Sequence, residues 1–124
     1  MRKRGREELE HLLEKVLVLD SRYKLEAYAF ILESLDFSVR KLKEPRHLTA
    51  LELLDGIRKF AIKSFGPMSK TVLEDWGLKT CEDFGEIVFH LVRCGIISKT
   101  QEDTEEDFKK GYDFEEAFEK PFLV

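Results

Sequence analysis

The sequence predicts a mainly α-helical protein, in which an N-terminal pair of helices leads into a winged-helix-like unit of three helices with a small β-hairpin wing. Two observations support this prediction. Between Thr49 and Ile97, three helical patterns follow one another, and each of them ends at a glycine. A polar stretch with the signals of a hairpin comes directly after the third pattern.

The length and composition indicate one folded domain. A chain of 124 residues with 43% hydrophobic residues, including 10 Phe, can bury a real core but is short for two domains. We therefore expect a single domain over residues 1–124, with the helical pair and a linker in residues 1–45 and the winged-helix-like half in residues 46–124.

The N-terminal pair is predicted from its apolar periodicity. The first helix covers residues 6–19, and its apolar residues have the spacing of one buried face: Leu9, Leu12, Leu13, Val16 and Leu17. The second, residues 22–42, is apolar on two faces, and its narrow polar stripe has heptad spacing: Glu26, Glu33 and Arg40. Such a helix is either central to the domain or has one face against a second copy. We favour a central helix with a role in self-association.

The start of the three-helix unit follows a polar linker. Pro45 interrupts helical geometry there and separates the two halves of the chain. Thr49 and Glu52 have the spacing of a capping box, so they predict the start of a helix that runs to Phe65.

The other two helices of the unit carry strong stop signals. The first of them ends at Gly77, which is placed for a left-handed cap with Leu73 and Leu78 as its apolar pair. The second begins at Thr80 and ends at Gly95, where the apolar pair is formed by residues 91 and 96.

The wing is predicted from two short segments. Residues 96–100 resemble a strand, and residues 111–113 resemble a return strand across the acidic loop 102–107. Asp113 and Glu116 then have the spacing of the start of a last short helix, which leaves residues 121–124 as a tail.

Charge is segregated along the chain. Residues 1–63 carry 14 basic and 11 acidic residues, whereas residues 64–124 carry 7 and 14. The last long helix, which would enter the major groove in a DNA-binding winged helix, begins with Glu82 and Asp83 and continues with Glu86. These carboxylates would repel phosphates, so DNA recognition by this helix is not favoured.

A nucleic-acid-associated regulator stays the alternative because basic residues cluster in the N-terminal arm and in the linker. The candidate contact residues are Arg2, Lys3, Arg4, Arg6, Arg40, Lys41, Lys43 and Arg46.

Aromatic residues off the predicted core stripes form a candidate partner surface. They are Phe89, Tyr112, Phe114, Phe118 and Phe122. Either they pack back on the three-helix unit or they dock a protein partner. Packing back is favoured, because exposed apolar patches of that size are unusual on monomers.

No residue pattern predicts a catalytic, cofactor or metal site. His90 and Cys94 lie four residues apart on one helix, but no acid that would orient the histidine is identifiable. The acidic residues 102–107 lack the ligand spacing of a calcium loop. Cys81 and Cys94 form no CxxC pair and are read as reduced thiols.

The remaining composition indicates a cytoplasmic protein from a thermophile. No apolar run approaches the length of a membrane span, and Glu7, Glu8 and Glu10 occupy the place of a signal peptide's apolar region. Charged residues make up 37% of the chain, which contains no Asn and one Gln.

Several long strings resemble an uncharacterised family of small bacterial proteins of unknown function. They are FGPMSKTVLEDWG at residues 65–77, DFGEIVFHLV at residues 83–92 and YDFEEAF at residues 112–118. Residues 22–30 and 47–56 are similar to the family as well, so the resemblance covers nearly the whole chain. It implies no activity, substrate or catalytic residue.

The sequence therefore favours a non-catalytic protein-interaction or adaptor module that self-associates. A nucleic-acid-associated regulator is second, and a small enzyme or metal-binding protein is third. We expect a protein partner or a homo-oligomer, and no membrane association.

Overall fold

A computed structural model describes residues 14, 22–44, 46–98 and 105–123. The described part is mainly helical. Its helices are α1 (Leu25–Val39), α2 (Ala50–Phe65), α3 (Ser69–Asp75), α4 (Cys81–Arg93) and the single turn α5 (Glu105–Phe108). A 3-10 turn (Gly66–Met68) joins α2 to α3, and two further helical turns, Glu115–Glu119 and Lys120–Phe122, follow α5. Of the predicted first helix, residues 6–19, the structure describes residue 14 alone, and the basic arm lies outside the described residues.

Helix α1 buries a wide apolar surface against two other helices. It packs mainly against α2 and also against α4. Residues from most of its circumference are buried: Ala27, Tyr28, Phe30, Ile31, Leu32, Ser34, Leu35 and Ser38. Helix α2, however, packs against α1, α3, α5 and two of the helical turns. The expectation that the helix predicted at residues 22–42 is central is therefore not confirmed, and its role in self-association stays a prediction.

Helices α1 and α2 approach closely because small residues lie at their contact. A Cβ atom added to Gly56 of α2 would lie only 1.7 Å from the Ser38 hydroxyl oxygen of α1. The two buried serines at this contact keep their hydroxyls satisfied within α1: Ser38 donates to the Ser34 carbonyl at 2.8 Å, and Ser34 donates to the Phe30 carbonyl. A glycine inside α2 is thus required by packing.

The predicted helix starts are confirmed. The Thr49 hydroxyl accepts from the Glu52 N–H at 3.2 Å, and the Glu52 carboxylate accepts from the Thr49 N–H at 3.0 Å. At the start of α4, the Asp83 carboxylate accepts from the Thr80 N–H at 3.0 Å. Both starts therefore satisfy backbone donors that a helix leaves unpaired.

The predicted helix ends are also confirmed. Gly77 has a φ of +95° and Gly95 a φ of +74°, conformations that favour glycine. After Gly77, the Leu78 N–H donates to the Leu73 carbonyl at 2.9 Å, and the Ile96 N–H repeats this bond at the end of α4.

The predicted β-hairpin wing is wrong for the described residues, which contain no strand. Ile96 and Ile97 are buried, and both of their N–H groups point to the Leu91 carbonyl, so this apolar pair closes α4 instead of starting a strand. Part of the predicted acidic loop is helical, and Phe108 of α5 packs directly on Gly85 of α4. The segment 111–113 is irregular and leads into the C-terminal turns.

Candidate functional site

A groove between α1 and α2 is lined by aromatic side chains in mutual contact. Ring centroids are 5.2 to 5.7 Å apart along the series, which is the separation of favourable aromatic pairs. The series consists of Phe37, Phe60, Phe30, Phe65 and Trp76, and we call it the aromatic groove. Phe30 is buried beneath the others, which are all partly exposed to solvent.

Two open depressions lie along this groove. One has a volume of about 470 Å³ and is lined by Phe37 and Phe60 together with charged residues of α1 and α2. The other, about 270 Å³, is lined by Phe30, Phe65 and Trp76, and Ala29 lies at its edge on α1. Both are open to solvent, so the groove suits the surface of a macromolecule better than an enclosed small ligand.

Charge is unevenly distributed along the groove. At the Phe37 end, the Lys41 ammonium lies 4.1 Å and the Lys63 ammonium 5.5 Å from the Phe37 ring centroid. Arg40 lines the same depression. These three cations form no ion pair with a described residue. Glu26 lies at the opposite end, beside Trp76.

The basic residues predicted to contact nucleic acid are thus divided by the fold. Arg40 and Lys41 line the aromatic groove, while Lys43 is exposed in the loop after α1. Arg46 is engaged within the chain, because its guanidinium holds both Glu52 carboxylate oxygens at 2.8 and 2.6 Å. Arg2, Lys3, Arg4 and Arg6 lie outside the described residues.

The carboxylates at the start of α4 have a structural use. The Tyr23 hydroxyl lies 2.6 Å from the Asp83 carboxylate and 2.6 Å from the Glu86 carboxylate. Arg22 pairs with Glu86 at 2.7 Å. Burial, together with the hydrogen bond to Asp83, raises the pKa of Tyr23 far above its usual value. Of the three carboxylates that were expected to repel phosphates, Asp83 and Glu86 therefore connect α4 to the segment before α1. Glu82 is the one of the three that is exposed.

The predicted partner surface of aromatic residues is largely internal. Phe114 is 4% and Phe118 0% exposed, and their rings pack edge to face. The Tyr112 hydroxyl donates to the Leu54 carbonyl of α2 at 2.7 Å, which anchors the C-terminal segment. Phe114 and Phe118 are therefore buried within the chain and lie on no outer surface. The prediction that these two residues contact a partner is wrong.

The other two members of that predicted surface are partly exposed. Phe89 packs edge to face against Phe108, with centroids 6.3 Å apart, and Phe122 lies in the last 3-10 turn. The favoured expectation, packing back on the helical unit, thus describes the cluster better than docking.

His90 and Cys94 do not form a nucleophile and base pair. The His90 Nδ1 atom lies 3.0 Å from the Tyr28 hydroxyl oxygen, and no hydrogen bond joins the ring to the Cys94 thiol. Burial raises the pKa of the Cys81 thiol to about 11, which disfavours the reactive thiolate.

Within the described ranges, His, Cys, Asp and Glu side chains form no group of three that could hold a metal ion. Only the end of the predicted acidic loop is described, and there Glu106 pairs with Lys109 at 3.0 Å. None of the helices that the structure describes has the length and apolar character needed to cross a bilayer.

The chain matches no protein-family model, no curated protein and no solved structure. The resemblance to an uncharacterised bacterial family therefore stays a prediction, and the aromatic groove has to be interpreted from its own chemistry.

Sequence reasoning missed this groove. In the sequence, Phe60 and Phe65 lie at the margins of the apolar stripe of α2, and no pattern distinguishes Phe37 or Lys63. The available signal was the number of aromatic residues flanking that stripe, together with Gly56 in the middle of a helix.

Proposed function

We propose that the protein is a non-catalytic interaction module that associates with a second copy of itself through the aromatic groove. The observation that supports this proposal is the partial exposure of four aromatic rings, which form two contacting pairs along one side of α1. Exposed aromatic clusters of this kind are typical of interaction surfaces, because covering them removes apolar area from water. The mixed charge of the groove allows one copy to complement another.

The proposal is tested by the solution mass of the purified protein. Sedimentation equilibrium between about 1 and 500 µM covers the dissociation constants of weak and moderate dimers. We expect the mass to rise from monomer to dimer across this range. Trp76, the only tryptophan, lies in the groove, so its emission should shift to the blue with the same concentration dependence.

A pair of variants assigns the association to the groove. Ser64 is exposed and lines the groove, so Ser64→Arg places a long charged side chain there without removing a core contact. Thr71→Arg makes the same change at an exposed position of α3 outside both depressions. We expect Ser64→Arg to be monomeric and Thr71→Arg to behave like the wild type. A strictly monomeric wild type over the whole range would contradict the proposal.

Single-stranded nucleic acid is the second candidate occupant. Arg40, Lys41 and Lys63 surround partly exposed aromatic rings, and this combination suits phosphates and stacked bases. Glu33 and Asp36 line the same depression, however, and would repel a continuous phosphate backbone. Fluorescence anisotropy with labelled single-stranded RNA tests this candidate. Tight binding that weakens steeply with salt, and that Lys41→Glu with Lys63→Glu abolishes, would favour it over self-association.

A further inference from the structure

One side of α1, which we call its outward side, lines the aromatic groove. The spacing of its residues along the chain is the same in both directions. The residues that line the groove from this helix and its C-cap are Glu26, Ala29, Phe30, Glu33, Asp36, Phe37 and Arg40. Their separations along the chain are three, one, three, three, one and three residues. A two-fold axis through Glu33 therefore exchanges position 26 with position 40 and position 29 with position 37.

We propose that two copies of the chain pair through α1 in antiparallel orientation, with the two-fold axis at Glu33. This inference rests on the proposed function and specifies how the two copies meet. In a two-fold interface each contact occurs twice, so the surface has to complement itself. The outward side of α1 meets this requirement in both shape and charge.

The complementarity of shape comes from one large and one small residue. Phe37 is partly exposed, and the antiparallel arrangement brings it opposite Ala29 of the second copy. Ala29 lies at the edge of the 270 Å³ depression lined by Phe30, Phe65 and Trp76. A ring entering this depression exchanges water for aromatic contacts, in the way that large and small residues interdigitate in a close-packed interior.

The complementarity of charge comes from the two ends of α1. Glu26 and Arg40 are separated by 14 residues, or roughly 21 Å along a helix. Both are exposed, and neither forms an ion pair with another described residue. In the antiparallel pair, Glu26 of each copy faces Arg40 of the other, so two attractive pairs form. A parallel arrangement would instead place like charges together.

The same arrangement includes an unfavourable contact on the two-fold axis. Glu33 faces its own symmetry mate on the axis, where two carboxylates repel. Lys63 of α2 lines the same depression as Glu33, but no ion pair joins the two residues. Replacing Glu33 by Gln removes the charge at nearly constant shape, so we expect Glu33→Gln to dimerise several-fold more tightly than the wild type.

Charge reversal provides the deciding experiment. Glu26→Arg and Arg40→Glu each turn two attractive pairs into two repulsive ones, so we expect each variant alone to raise the dimer Kd by roughly 10- to 100-fold. Mixed at equal concentration, the two variants should form a one-to-one heterodimer, because each supplies the charges that the other needs. The double variant in one chain should dimerise like the wild type. Glu115→Arg, an exposed residue outside the groove, is the matched control and should leave the wild-type Kd unchanged.

The possible results separate this inference from the proposed function. Sedimentation equilibrium gives the masses, and a tag of different size on one variant identifies the heterodimer. Weakened single variants with recovery on mixing support the antiparallel pair. A wild-type dimer that neither single variant weakens, or weakened variants that do not recover on mixing, would overturn this pairing but leave self-association intact. A monomeric wild type would overturn both.

Discussion

Replacing Gly56 by alanine tests how the separation of α1 and α2 is set. Alanine is the better helix former by about 1 kcal/mol, so helix propensity alone predicts a more stable protein. Packing predicts the opposite. The new Cβ would lie 1.7 Å from the Ser38 hydroxyl oxygen and 3.0 Å from the Ser38 Cβ. The sign of the change in the free energy of unfolding therefore distinguishes the two effects.

The size of the change in the free energy of unfolding depends on which atoms near Gly56 can move. Rotation of the Ser38 hydroxyl removes the shorter contact, but it breaks the 2.8 Å hydrogen bond to the Ser34 carbonyl, which contributes about 1 kcal/mol. The contact with the Ser38 Cβ persists whatever the rotamer, so the helices must separate, and overpacking of this kind costs about 1–3 kcal/mol. After the gain in propensity, we expect Gly56→Ala to lower the free energy of unfolding by about 1–3 kcal/mol.

Urea unfolding followed by Trp76 fluorescence measures this free energy directly. The control is a double-mutant cycle with Ser38→Gly, which removes both close contacts. In that background, Gly56→Ala should be neutral or stabilising. A single Gly56→Ala variant that is as stable as the wild type would refute the inference that small residues set this helix contact. The self-association of the single variant should weaken as well, because the groove lies between the same two helices.

Three further predictions concern individual side chains. Tyr23→Phe should lower the free energy of unfolding by about 1–3 kcal/mol, because it removes the hydroxyl that lies 2.6 Å from both the Asp83 and the Glu86 carboxylate; an unchanged urea midpoint would contradict this. Arg46 holds the pKa of Glu52 at about 2, so this pair stabilises the protein fully above the unfolded pKa of 4.5 and loses its effect as the pH falls through 4.5 towards 2. Because the pair is largely exposed to solvent, Arg46→Ala should lower the urea midpoint only slightly at pH 7 and less at pH 2, as unfolding curves at the two pH values will show. Cys81 should react with a thiol reagent only as the chain unfolds, and fast labelling of the native protein would be inconsistent with its burial.

Local signals predicted the helices well because their ends are determined by neighbouring residues. Thr49 with Glu52 starts α2, and Gly77 and Gly95 end α3 and α4 through hydrogen bonds between residues a few positions apart. The prediction of the wing is wrong because it used the same kind of local signal. Ile96 and its neighbour are apolar and β-branched like strand residues, but their backbone groups are already used by the cap of α4.

The candidate site could not be predicted in the same way because it depends on contacts distant in sequence. The groove exists only where α1 lies beside α2, and their separation depends on Gly56 meeting Ser38 across the chain. Likewise, Asp83 has the pattern of an acid at a helix start, and nothing near it in sequence indicates that Tyr23, 60 residues away, hydrogen-bonds it. The sequence shows which residues are aromatic or charged. Tertiary packing determines where in the fold each of these side chains lies.

The most direct test of the self-association through α1 is disulfide cross-linking with one introduced cysteine. A residue on the two-fold axis meets its own copy, so Glu33→Cys in a Cys94→Ser background should form a disulfide-linked dimer under mild oxidation, read on a non-reducing gel. Glu26→Cys in the same background should stay monomeric, because its partner position is 40, and a disulfide requires Cα atoms less than about 7 Å apart. Efficient cross-linking at 33 and none at 26 is the predicted result. Equal cross-linking at both positions, or none at 33, would contradict the antiparallel pairing.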